Sequence, residues 1–194
     1  MFHSMLRKKP RLPSLLMPKA PLPQLLIRRA AACDNALLAE IGRETFYETY
    51  ATQNTPENMA AYLAASFSPE QQARELTHPA HRFLLAEIDN AVVGYACLKL
   101  VPAPAAVVAR RPMEIARLYA RKAWIGKGIG AQLMNACIAA ARQADCDVMW
   151  LGVWERNAAA IAFYRKAGFV EVGEQVFQLG EDQQRDFLMA RRVN

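Results

Sequence analysis

The chain has 194 residues, enough to bury one sizeable core, and although 53% of them are hydrophobic no run is long enough to cross a bilayer. Its formal charge of +6 gathers at the start, where Arg7, Lys8, Lys9, Arg11 and Lys19 stand among no acidic residue; this leaves 19 of the 24 Lys and Arg to face all 18 Asp and Glu from residue 24 on. A nearly neutral domain argues against a nucleic-acid groove. The four cysteines (Cys33, Cys97, Cys137, Cys146) have no metal-ligand spacing, so no metal is expected and the thiols read as free in a reducing, cytoplasmic setting.

In chain order, residues 1 to 23 read as a disordered basic extension. Pro10, Pro13, Pro18, Pro21 and Pro23 interrupt any signal-like helix there, and a single domain is expected over residues 24 to 194. Leu25 to Arg29 reads as a short strand. Asp34 is a candidate N-cap for a helix through Leu37, Leu38, Ile41, Phe46 and Tyr50. Thr55 with Pro56, and Ser68 with Pro69, start two further helical pieces. Arg82 to Ile88 and Ala91 to Leu100 form a hairpin through Asp89 and Asn90, and a proline-containing loop leads to a strand from Met113 to Ala120.

The next stretch organises the chain. Ile125-Gly126-Lys127-Gly128-Ile129-Gly130 opens a helix whose apolar residues Leu133, Met134, Cys137, Ile138 and Ala141 recur at helical spacing. Glycines at a helix N-terminus suit an anion, because unpaired N–H groups and the positive end of the helix dipole meet with no Cβ in the way. Spaced glycines also mark ordinary turns, and two familiar phosphate loops do not fit. Lys127 is followed by Gly128 where a Walker loop needs Ser or Thr, and the dinucleotide spacing is missing. A strand from Val148 to Trp154, a helix capped by Asn157 and stopped at Gly168, and two strands (Phe169 to Gln178, Gln183 to Arg191) complete a mixed α/β layer fold.

Three blocks and the spacing between them, Arg117-Leu118-Tyr119-Ala120, Gly126 to Gly130, and Asn157-x-x-Ala-x-x-Phe163-Tyr164-x-x-x-Gly168, resemble the GNAT superfamily of acyl-CoA N-acyltransferases over about residues 24 to 192. Within it, Trp150-Leu-Gly-Val-Trp-Glu155, the ending Leu179 to Gln183 followed by Asp186, and Gln53 to Glu57 leading into Tyr62 and Leu63 are similar to PaiA-type spermidine/spermine N-acetyltransferases. One departure is Ile125, where the superfamily usually has Gln or Arg.

The resemblance implies a mostly antiparallel sheet of about seven strands, helices on both faces, and a splay between the fourth and fifth strands. It also implies that acetyl-CoA, as acetyl donor, rests its pyrophosphate on Gly126, Lys127, Gly128, Ile129, Gly130 and Ala131, with Arg121 and Lys122 nearby. Its pantetheine would pair with Leu118, Tyr119 and Ala120, and Asn157 would cap that arm. Tyr164 is then the acid for the leaving thiolate. An ammonium acceptor must lose a proton before it attacks, and Glu114, the only carboxylate on its strand, is the candidate base, directly or through a water, with a strand-end ion pair as its other reading. A polyamine acceptor is expected, with Trp154, Glu48, Glu57 and Glu155 available to border its slot. A protein, amino-acid or aminoglycoside amine is the alternative, a non-catalytic CoA-binding module the remoter one. Neither nucleic acid nor membrane is an expected partner, and a homodimer is left open.

Overall fold

A computed structural model describes residues 24–193; the expectation for residues 1 to 23 lies outside them, as does Asn194. The elements are β1 (Leu25–Arg29), α1 (Asn35–Tyr50), α2 (Pro56–Ser66), α3 (Pro69–Thr77), β2 (His81–Ile88), β3 (Ala91–Lys99), β4 (Pro112–Ala120), α4 (Ile129–Gln143), β5 (Val148–Trp154), α5 (Ala158–Lys166), β6 (Val170–Leu179) and β7 (Asp182–Arg192).

Local chemistry sets most of these boundaries. The Thr55 hydroxyl accepts the Asn58 N–H at 3.3 Å, Ser68 accepts from Gln71 at 3.1 Å, and Asn157 accepts from Ala160 at 3.1 Å, so α2, α3 and α5 each begin at a side-chain cap. Asp34 behaves differently. Its carboxylate accepts the Ala31 N–H at 2.7 Å and two N–H groups of the Arg28 guanidinium at 2.7 and 3.0 Å, so it closes the 3₁₀ turn before α1 instead of capping that helix with its side chain. The hairpin turn holds Asp89 and Asn90 at φ 50° and 64°, a left-handed pair that matches the twist of the flanking strands.

The seven strands run in the order β1-β2-β3-β4-β5-β7-β6, antiparallel throughout except for β4 and β5. That parallel pair stays in register only from Pro112 opposite Val148 to Glu114 opposite Trp150, after which the strands part. Just beyond the parting, β4 carries one extra residue. Leu98 lies opposite Ile115 and Cys97 opposite Arg117, leaving Ala116 as a bulge that bends the strand.

Both faces are covered. On one, Leu133, Met134, Cys137 and Ala141 of α4 are buried against Val93, Leu98, Met113 and Met149. On the other, Leu38 and Ile41 of α1 pack on Phe83, Leu85 and Tyr95. Each such large aliphatic side chain contributes about 1.5–3 kcal/mol by leaving water, which fixes the two halves of the sheet between their helices. Phe46, Met59, Leu63 and Phe67 pack with Leu179 and bring the α1–α2 corner over the far half of the sheet. Trp150 is a packing residue, buried with Val107, Leu188 and Ala190.

Candidate active site

The loop before α4 is built to leave hydrogen-bond donors free. Gly128 is the residue before the helix, at φ 86°, and it offers no side chain to cap α4, unlike the residues that start α2, α3 and α5. Gly126 is left-handed as well, at φ 80°, and a Cβ built at either glycine meets nothing within 4 Å. These glycines therefore answer to backbone conformation and clearance, not to packing. Among the described residues, the N–H groups of Gly126, Gly128, Ile129, Gly130 and Ala131 find no acceptor, while that of Lys127 donates to Trp124 at 3.3 Å. Five unpartnered donors at the positive end of a 15-residue helix form a cradle for a phosphate-type anion.

The basic side chains around the loop are partly committed elsewhere. Arg121 donates to Glu44 and, at 3.1 Å, to Glu40, both on α1, and to the Val92 carbonyl at 3.0 Å; it ties α1 to the sheet. The Lys127 ammonium lies 4.8 Å above the Trp124 ring. Ile125 is 69% exposed and lines the cavity that begins there.

That cavity, of about 220 Å³, follows the parting of β4 and β5. Leu118, Tyr119 and Ala120 line one side, where the edge of β4 facing β5 has no strand partner, and Gly152, Asn157, Ala160 and Tyr164 line the other. An amide-bearing chain can add to such an edge as another strand would. Tyr164 is 9% exposed, set edge-on to Phe163 and Phe169, and burial raises its pKa, so the phenol keeps its proton at neutral pH. Asn157 does double duty. Its oxygen caps α5 while the residue also lines the cavity together with Tyr50 and Tyr119.

A second cavity, of about 80 Å³, shares Tyr50, Ala116, Arg117, Tyr119 and Gly152 with the first. Its walls are aromatic: Phe46, Tyr62 and Phe67 from the α1–α2 side, Trp154 from β5 and Phe177 from β6. Two polar residues of β7, Gln184 and Asp186, complete it. Asp186 is 6% exposed, and burial pushes its pKa up to about 6 against a partly offsetting hydrogen bond from Gln175. Arg117 is held by two hydrogen bonds to Glu75, at 2.6 and 3.2 Å, and by the Phe67 ring 4.8 Å from its guanidinium carbon. The Glu75–Arg117 pair thus presents little net charge to the cavity.

The structure brings Leu118, Tyr119, Ala120, Asn157 and Tyr164 to one cavity, which Ile125 joins to the start of the Gly126–Ala131 loop, and Trp154 lines the neighbouring one. It does not bring Glu114 to either. Glu114 lies at the last paired position of β4 and β5, opposite Lys99 and Trp150, where burial raises its pKa and the charges of Lys99 and Arg117 lower it. The three other carboxylates also lie off the cavity lining. Glu155 is paired with Arg185 at 2.5 Å, Glu48 accepts the Lys122 N–H at 3.3 Å, and Glu57 is exposed in the first turn of α2. Sequence reasoning gave no role to Asp186. Its signal was the phase of β7, where Gln184 and Asp186 occupy the same buried alternation as Leu188 and Ala190.

The pattern of the acetyltransferase (GNAT) family matches residues 40–169. The chain belongs to that family. It is 36% identical over 153 residues to an uncharacterized N-acetyltransferase in the pepI 3' region of Lactobacillus delbrueckii subsp. lactis, a match covering 79% of this chain and 88% of the other. Against the spermidine N(1)-acetyltransferase of Thermoplasma acidophilum the identity is 26% over 147 residues, 74% of this chain and 86% of that one. The PaiA N-acetyltransferase of the same organism, solved in complex with coenzyme A, has the same fold, with a TM-score of 0.69 at 24% identity over 87% of this chain and 99% of its own. Membership makes this chain an N-acetyltransferase, and the split sheet with its loop of free donors is the GNAT core. Among the described residues no group of His, Cys, Asp and Glu could hold a metal ion, and no helix is long and apolar enough to span a membrane.

Proposed function

We propose that the protein transfers the acetyl group of acetyl-CoA to a primary amine by direct attack in a ternary complex, and that the amine is a polyamine. The observation that carries this reading is the meeting of two cavities where β4 leaves β5. One reaches from Ile125, the residue before the glycine loop, to Tyr164, and the other is an aromatic box with a carboxylate. The donors of Gly126, Gly128, Ile129, Gly130 and Ala131 suit the pyrophosphate, with Lys127 adding charge at the rim. The free edge at Leu118 to Ala120 suits the amides of pantetheine, and Asn157 borders it. A main-chain N–H near the Ala116 bulge then polarises the thioester carbonyl, and the Tyr164 phenol protonates the departing sulfur.

The acceptor assignment rests on charge and shape. An aromatic box around one buried carboxylate selects a protonated alkylamine, since ring faces and carboxylate both attract an ammonium. Its small volume admits one end of such a molecule, so the rest of a polyamine lies outside, toward the segments that carry Glu57, Glu181 and Asp182. Asn58 of α2 accepts the Glu181 N–H at 3.0 Å, and Asp182 accepts from Gln184 of the box at 3.0 Å, which ties those segments to the rim. The spermidine acetyltransferase among the relatives supports the same acceptor class. The test is thiol release from acetyl-CoA with spermidine, spermine, n-butylamine, lysine, a lysine peptide and kanamycin. The polyamines are expected to give the highest kcat/KM. Turnover of kanamycin or the peptide with inert polyamines would replace the acceptor, and coenzyme A binding without turnover of any amine would leave a binding module.

A further inference from the structure

We infer that Asp186 is the catalytic carboxylate of this enzyme: it receives the acceptor's ammonium and takes the proton that must leave before attack. The inference rests on the acetyl-transfer reading above and deepens it by naming the group that meets the acceptor. Glu114 was the sequence's candidate, but it lines neither cavity, whereas Asp186 is the only carboxylate among the described residues that lines the aromatic box.

The surroundings of Asp186 are arranged for that task. On β7 it lies opposite Trp154 of β5 and Gln175 of β6. The β5 residue that would crowd it is a glycine. A Cβ at Gly152 would sit 2.9 Å from Asp186 Oδ2 and would also collide with the Gln175 amide. Gly152 lines both cavities, so at that position no side chain stands between the box that Asp186 lines and the slot that Tyr164 lines. Among the described residues no cation is paired with Asp186. The charged or titratable groups facing the same space are Arg117 and Tyr119 of β4, Tyr50 of α1 and Tyr62 of α2; Arg117 is spent on Glu75, and burial raises the pKa of all three phenols. Desolvation, eased by the Gln175 hydrogen bond, holds Asp186 near a pKa of about 6, so at pH 7.5 it is ionised yet a far better proton acceptor than an exposed aspartate.

An N–H bond of the ammonium breaks, its proton passing to an Asp186 oxygen and its electron pair remaining on nitrogen. That pair forms the N–C bond to the acetyl carbonyl carbon, the C–S bond breaks with its pair on sulfur, and sulfur takes the Tyr164 hydroxyl proton. The second nitrogen proton returns to the Tyr164 oxygen through solvent, and Asp186 gives its proton to bulk water. One amide, one thiol and one released proton result.

The test compares wild type, Asp186→Asn and Gln175→Leu across pH 5 to 9, using the best acceptor from the amine panel and thiol release as readout. For Asp186→Asn, kcat/KM at pH 7.5 is expected to drop by about 100-fold or more, the usual range for loss of a general base, while coenzyme A affinity by calorimetry stays within about twofold. The wild-type fall in kcat/KM on the acid side, centred near pH 6, disappears in that variant. Gln175→Leu removes the hydrogen bond that opposes desolvation, so its acid-side midpoint moves to higher pH with activity retained above it. An enzyme active on an amine, with Asp186→Asn within about threefold of wild type and the acid-side fall unchanged, overturns the inference alone. Absence of thiol release from every amine, with coenzyme A still bound, overturns the transfer reading and this inference together.

Discussion

Burial favours the neutral, protonated form of both Tyr164 and Asp186, but only the carboxyl is brought close to neutral pH by it. The phenol stays protonated at every physiological pH and is available only as a donor. Tyr164→Phe is therefore expected to lower kcat by about 10- to 100-fold while the KM for acetyl-CoA stays within about twofold, measured by steady-state thiol release. For Asp186, the same burial that tunes it weakens the fold. Below pH 3.8 the carboxyl is neutral in both folded and unfolded chains. Between there and about 6 the unfolded chain ionises first, so the contribution of Asp186 to stability falls as pH rises and stays unfavourable above that window. Asp186→Asn should accordingly be more stable than wild type at pH 7.5 by on the order of 2 kcal/mol in urea denaturation, with the gap closing toward pH 4.

At the scale of elements, the start of α4 is where a glycine substitution should read out in cofactor affinity. Gly128→Ala meets no neighbour, yet an alanine at φ 86° is strained by about 1–2 kcal/mol, and relaxing that strain turns the free N–H groups away from a common focus. The expected outcome is coenzyme A binding weakened by about tenfold in calorimetry with a melting temperature only a few degrees lower. The helix starts at Thr55, Ser68 and Asn157 and the Asp89–Asn90 turn were legible in the sequence because each depends on contacts within a few residues. Asp34 does precede the first residue of α1 as read, but its side chain goes to Arg28 of β1, a partner that the local sequence does not announce. The sequence placed Arg121 near the phosphate loop but could not show its carboxylate partners Glu40 and Glu44, which lie some 80 positions earlier in the chain.

For the whole molecule, the mixed α/β layering was legible because hydrophobic phase survives in most strands and helices, and the proposed donor half could be grouped from the sequence because its parts fall within residues 118 to 164. The proposed acceptor half could not. Its walls come from α1, α2, β4, β5, β6 and β7, and nothing local ties Phe46 or Tyr62 to Asp186. Only the assembled sheet, joined at the β4–β5 seam by three paired residues and open beyond them, brings these groups to one place.

Gly152 is the hydrogen-for-methyl gap at the centre of that opening, common to both chambers. One added carbon there would first have to push aside the Gln175 amide and the Asp186 carboxylate, and would narrow the passage that the two chambers share. The loaded donor would still dock on its side and the amine would still be drawn toward its own, but the two would have to meet through a narrower door.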